Sequence, residues 1–158
     1  MRRAIFMLLT VLLAVTVAAP AAFADNVHFI KASASGPNAA GNVSVTFKIA
    51  GLGANESITV TATADATAVY ACRNRGRNFP SDPKKQTLSG PVSASGDFQS
   101  GQNGQVSGSL TLSPPASTLD CPSGQTAVLV SVSYTNAQVS AGGDTEDLGD
   151  FQRTFFTI

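Results

Sequence analysis

Tryptophan is absent from this 158-residue chain, histidine occurs once, and cysteine occurs twice. Charged residues make up only 13%, and ten basic side chains balance ten acidic ones. Ordinary soluble domains carry roughly a quarter charged residues, so this surface has to be built from Ser, Thr, Asn, Gln and Gly. Each shortage closes a class of function. With no excess of positive charge, the chain lacks the electrostatic footprint of a nucleic-acid binder. His28 is the sole imidazole, and no Gly-x-Ser-x-Gly elbow accompanies it, so hydroxyl nucleophiles have no convincing base. Two cysteines and one histidine, without a Cys-x-x-His spacing, do not make a zinc site. The glycines punctuate apolar runs instead of opening a helix, so no phosphate-cradling loop is present. Glycosidases need two carboxylates held in a cleft. Asp65, Asp82, Asp97 and Asp120 sit among turn-forming residues, where Asp bonds its own backbone. The expectation is a protein without catalytic activity and without a cofactor.

The first 24 residues are a sorting signal by pattern. Arg2 and Arg3 precede an apolar run from Ala4 to Ala19, and Ala22-Phe23-Ala24 supplies the small-x-small cleavage pattern, leaving Asp25 as the new N-terminus. The run falls short of the ~20 residues a bilayer-spanning helix needs, and no cysteine follows it for lipid attachment. The expected product is a secreted, extracellular protein with no membrane attachment, formed of one domain over residues 25–158.

Secretion changes what the two cysteines mean. In an oxidising compartment an even count reads as a disulfide, and Cys72 and Cys121 allow one pairing. In the chain-entropy view, a closed loop of this length contributes on the order of 4 kcal/mol. That is a large part of the roughly 5–15 kcal/mol that holds a domain together.

Beyond the leader, alternation with a period of two dominates. Val43, Val45, Phe47 and Ile49 alternate with Ser44, Thr46 and Lys48, the pattern of a half-buried strand. Similar runs occupy 27–34, 58–61, 67–72, 87–98, 106–112, 128–134 and 151–158, separated by Gly, Pro, Asn or Asp. Asn103-Gly104 between two of them is a hairpin signal, because both residues tolerate positive φ. No window carries a helical apolar stripe. The spacing predicts an all-β, immunoglobulin-like antiparallel β-sandwich of about eight strands with one disulfide. Its core is expected to hold Phe29, Val43, Val45, Phe47, Ile58, Val60, Phe98, Leu110, Leu112, Val128, Val130, Val132 and Phe155.

Two resemblances accompany this reading. Asp65-Ala66-Thr67-Ala68-Val69-Tyr70-Ala71-Cys72 is similar to the immunoglobulin strand in which a Tyr stands two residues before the second Cys. No cysteine lies upstream and no core Trp exists, so the similarity speaks to the sandwich class alone. Through Val27-His28-Phe29-Ile30-Lys31, Cys121-Pro122-Ser123-Gly124 and Ser131-Val132-Ser133-Tyr134, the chain resembles small secreted two-cysteine β-sandwich proteins of bacterial secretomes. That resemblance implies a compact extracellular module and no particular chemistry.

Two charge clusters stand out. Arg73, Arg75, Arg77, Lys84 and Lys85 hold half of the ten basic residues, around Asn78-Phe79-Pro80-Ser81-Asp82-Pro83. As a loop they would display charge for an anionic polymer such as teichoic acid or an acidic polysaccharide, with Phe79 as an apolar anchor. The competing reading is a solvated loop that keeps the protein soluble. Asp144, Glu146, Asp147 and Asp150 follow Gly142-Gly143. As a loop they are a weak candidate for Ca²⁺, whose site needs six to eight oxygens, but they lack the EF-hand spacing. A solvated acidic loop, or one that pairs with the basic loop, is the alternative. Asn42-Val43-Ser44 and Asn55-Glu56-Ser57 fit the glycosylation sequon, which matters only in a glycosylating host. The leading expectation is a non-enzymatic secreted module that binds or packs at an extracellular surface, its partner an anionic cell-surface polymer or an extracellular protein. The alternative is a secreted enzyme inhibitor or small-molecule carrier. The open edges of such a sandwich are able to pair between copies, which allows a homodimer.

Overall fold

The computed structural model describes residues 26–158, and the expected leader at 1–24 lies outside them. Seven strands and no helix make up the described residues: β1 (His28–Ser35), β2 (Val43–Ala50), β3 (Ser57–Asn74), β4 (Lys85–Gln99), β5 (Val106–Leu112), β6 (Gln125–Ala141) and β7 (Asp144–Thr154). They form a three-stranded sheet in the order β1-β2-β5 and a four-stranded sheet in the order β4-β3-β6-β7. Every pairing is antiparallel. Side chains from both sheets meet in one buried cluster, which makes the architecture a two-layer sandwich.

Strict alternation explains the inner faces. In β2, Val43, Val45, Phe47 and Ile49 are buried while Ser44, Thr46 and Lys48 are exposed. In β3 the buried row runs Ile58, Val60, Ala62, Ala64, Ala66 and Ala68. The bulky row of β2 faces a layer in which the middle of β3 is small, which lets the two faces interdigitate. The rings of Phe47 and Phe98 meet edge to face with centroids 4.9 Å apart, across the glycine of Gly108. A Cβ there would lie 2.5 Å from Phe98 Cε1 and 2.8 Å from Phe47 Cζ. The glycine is what admits the rings.

The expected runs 58–61 and 67–72 are one strand rather than two, so the count is seven and not eight. Residues 62–66 are mostly Ala and Asp, weak β-formers by propensity, with one Thr among them, yet their alternation continues and pairing on both sides carries the strand through. Asp65 therefore lies in mid-strand and Asp97 in β4, not in turns. Asn103-Gly104 does not close a hairpin. It carries the chain from β4 in one sheet to β5 in the other, and Gly104 O accepts from Leu52 N at 3.1 Å. The hairpin lies instead at Gly142-Gly143, with φ of 58° and 90°, which joins β6 to β7 in two residues.

Most of the expected core is buried. Phe29, Phe98 and Phe155 are half-buried against it, and Val128 is half-buried near the start of β6. Ile49, Val106, Val139 and the alanine row of β3 join the core, as does Tyr134, fully buried with its hydroxyl donating to Gly41 O at 2.7 Å.

Candidate functional site

Strand direction sorts the loops into two groups. The connections β1–β2 (36–42), β3–β4 (75–84) and β5–β6 (113–124) gather at one end with the tail 155–158. The connections β2–β3, β4–β5 and β6–β7 gather at the other. The first end carries the basic residues. Arg73 is the penultimate residue of β3, Lys85 the first of β4, and Arg75, Arg77 and Lys84 stand between them. Arg153, near the end of β7, reaches the same end, where its guanidinium donates to Pro37 O at 2.9 Å. Lys31 and Lys48 are the only basic side chains described elsewhere.

This end is built from several segments tied across one another. The Cys72–Cys121 disulfide, with Cα atoms 5.6 Å apart, joins the end of β3 to the β5–β6 connection. Cys72 N donates to Lys84 O at 2.9 Å, and Arg75 N donates to Gly124 O at 3.3 Å. Lys84 Nζ donates to Asp120 O at 2.7 Å. Gln86 donates to Thr118 Oγ1 and accepts from Thr118 N and Ser117 Oγ. Tyr70 Oη donates to Pro115 O at 2.8 Å. The loop's own turn is closed by Arg77 N donating to Asn74 O and Asn74 N donating to Asn78 O, with Arg77 at φ 66°.

Phe79 is not the free anchor expected of a loop tip. It is half-buried, and its ring meets Phe156 at 5.6 Å. The Arg73 guanidinium lies over the same Phe156 ring at 4.6 Å. Stacking desolvates part of the guanidinium and fixes its plane, while leaving its edge donors to bind. Arg75, Arg77, Lys84 and Lys85 are exposed around this Arg–Phe–Phe stack. Phe156 was invisible to sequence reasoning because its partners lie about eighty residues away in the chain.

The acidic cluster is not a loop. Asp144, Glu146, Asp147 and Asp150 all belong to β7, where the register sets Asp144 and Glu146 opposite Ala141 and Val139, and Asp147 opposite Gln138 on the other face. Asp144 accepts from Phe29 N at 2.9 Å, Asp147 from Gly149 N, and Asp150 from Asn136 N at 3.1 Å. Among the described residues no group of three or more His, Cys, Asp or Glu is placed to hold a metal ion. Asp144, the first residue of β7, lies at the end opposite the basic loop, and Asp150, nearer that loop, is used by Asn136 N. His28 is exposed at the far end, its Nδ1 2.7 Å from Asn26 O.

Burial pushes the Tyr70 phenol upward. Burial and then the neighbouring Tyr70 push Tyr134 up to about 12. Both hydroxyls act as neutral donors to carbonyls, a structural use. No helix among the described residues is long and apolar enough to cross a membrane. No family model, curated protein or solved structure matches the chain.

Proposed function

We propose that this protein is a secreted, non-enzymatic module of immunoglobulin-like sandwich type that binds an anionic polymer at an extracellular surface through its basic end. The observation that carries the reading is the convergence of Arg73, Arg75, Arg77, Lys84, Lys85 and Arg153 on one end, around a stacked Arg–Phe–Phe cluster. The disulfide and the cross-loop hydrogen bonds pre-order that end, so binding loses little loop entropy. A repeating polyanion such as teichoic acid or an acidic polysaccharide matches several separated cations better than a single small anion does. The resemblance to secreted two-cysteine sandwich proteins supports the extracellular setting.

Co-sedimentation of the mature protein with purified cell walls and with acidic polysaccharides tests this. Binding should fall steeply with added salt, since exposed charges are screened. It should drop at least about tenfold when Arg75, Arg77, Lys84 and Lys85 are changed to Glu, a loss of about 1.4 kcal/mol or more. Absence of binding at low salt overturns the reading. The inhibitor alternative draws on the same rigid, disulfide-tethered turn with Pro80 and Pro83, and a protease-inhibition assay separates it.

A further inference from the structure

The six cations of the basic end are not equivalent. Arg75, Arg77, Lys84, Lys85 and Arg153 are exposed, whereas Arg73 is half-buried. Alternation in β3 sets Arg73 on the outer face, because Cys72 before it is fully buried and holds the disulfide. Two guanidinium groups lie on aromatic rings, Arg153 over Phe155 at 4.9 Å and Arg73 over Phe156 at 4.6 Å. Arg153 spends a donor on Pro37 O, as Lys84 does on Asp120 O, so these two close the end of the sandwich. Arg73 is held by its ring.

That ring is itself held from two directions. Phe155 N and Phe156 N both donate to Val130 O, at 2.8 and 3.3 Å, which seats the tail where the β3–β6 register skips Val130. Phe79 then packs on the Phe156 ring at 5.6 Å, the two planes inclined at 62°. A side chain laid on a fixed ring has lost much of its rotamer freedom before any ligand arrives, so binding loses less entropy there. Thr126 stands opposite Arg73 in the β3–β6 register and is exposed. Cross-strand partners share a face, so its hydroxyl lies beside the guanidinium.

We infer that Arg73 is the specificity-determining residue of the basic end, positioned by Phe156. With Thr126 it forms a subsite for one anionic group that has two equivalent oxygens, a phosphodiester or a carboxylate. The inference rests on the polyanion reading above and assigns roles within it. A guanidinium edge presents two parallel N–H groups that meet such a pair of oxygens together, which an ammonium does not. Partial burial lowers the local dielectric and strengthens those bonds relative to bonds made by the exposed cations. The Thr126 hydroxyl supplies a further donor to a remaining lone pair. The exposed cations act mainly through their field, which draws a polyanion in but does not distinguish Arg from Lys.

The test titrates the mature protein and its variants with poly(glycerol phosphate) and with polygalacturonate, at low and high salt. The parent should bind at least one of the two. Arg73→Lys keeps the charge and should weaken that binding by about tenfold, the worth of one charge-assisted hydrogen bond. Arg75→Lys exchanges one exposed cation for another and should cost about twofold. Salt dependence should be alike in all three, since the number of charges is the same. Phe156→Leu should lose as much as Arg73→Lys, and Phe156→Tyr, which keeps the ring, should recover the loss. A thermal melt establishes that each variant is folded. A loss confined to one polymer identifies its anionic group as the one seated at Arg73. Equal losses in Arg73→Lys and Arg75→Lys overturn the inference while the polyanion reading stands, as does a Phe156→Tyr variant no better than Phe156→Leu. If the parent binds neither polymer, the polyanion reading fails and the subsite with it.

Discussion

The two ends of the sandwich are closed by different chemistry. At the far end the turns are short and rely on backbone geometry: Gly104 at φ 67° packs on Leu52, Gly142-Gly143 turns in two residues, and Ser100 is the main side-chain tie. Ser100 Oγ donates to Gly53 O and accepts from Glu56 N, so this buried hydroxyl uses both of its roles. The basic end has longer connections, and side chains plus a covalent bond do the closing. Tyr70, Tyr134, Gln86, Lys84 and Arg153 each reach a group on a distant loop. An end built of long loops can present varied side chains, whereas one built of glycine turns presents little. The contrast explains why recognition is assigned to the basic end.

The largest expected effect tests the covalent part of that contrast. Cys72→Ser with Cys121→Ser should cost about 2–5 kcal/mol of stability, read as a lowered denaturant midpoint. Hydrogen exchange should then rise at 75–84 and 113–124 and stay unchanged at 51–56 and 100–105. Equal loosening at both ends would remove the distinction.

The complementary variant attacks the far end. A Cβ at Gly104 would stand 2.0 Å from Leu52 O, and positive φ itself costs a non-glycine residue roughly 1–2 kcal/mol. Gly104→Ala should therefore destabilise by about 2–4 kcal/mol while leaving binding at the basic end intact. A thermal melt paired with the cell-wall assay reads both.

How legible was this in the sequence? The inner face of β2 could be read directly, because large apolar residues alternate with polar ones at every step. The middle of β3 could not, since Ala and Asp carry no strand preference and only pairing with two neighbours makes them strand. Asn103-Gly104 announced a turn correctly, but local chemistry does not say which sheet the next strand joins. The charge run 73–85 was visible, whereas its meeting with Phe156 and Arg153 was not, because contacts between distant segments leave no periodic trace. The bulge at Asn136 was hidden for a similar reason, since its clamps, Asp65 and Asp150, lie on two other strands.

A smaller effect is expected at Tyr134, beneath the basic end. Tyr134→Phe keeps the ring but leaves Gly41 O without its donor, at about 1–2 kcal/mol. The same residue gives the parent protein a dependence on high pH. An unfolded phenol loses its proton near 10, whereas the buried one does so near 12. Between those values the folded state binds more protons than the unfolded one, so stability is whole below pH 10 and falls as pH rises through the window. Denaturant midpoints at intervals from pH 9 to 12 should decline in the parent and decline less in Tyr134→Phe. Identical slopes would mean that this hydroxyl is not held out of water.

The smallest expected effect separates anchoring from recognition within the basic end. Tyr70→Phe removes one bond to Pro115 O and should cost about 0.5–1.5 kcal/mol. Tyr70 carries no charge, so if the exposed cations do the binding, polyanion affinity should change far less than in the charge-reversed loop. If the variant instead lost affinity as completely as charge reversal does, the placement of the 113–124 connection would be setting the cations' geometry. Binding would then depend on the cross-tied frame as much as on the charges it displays.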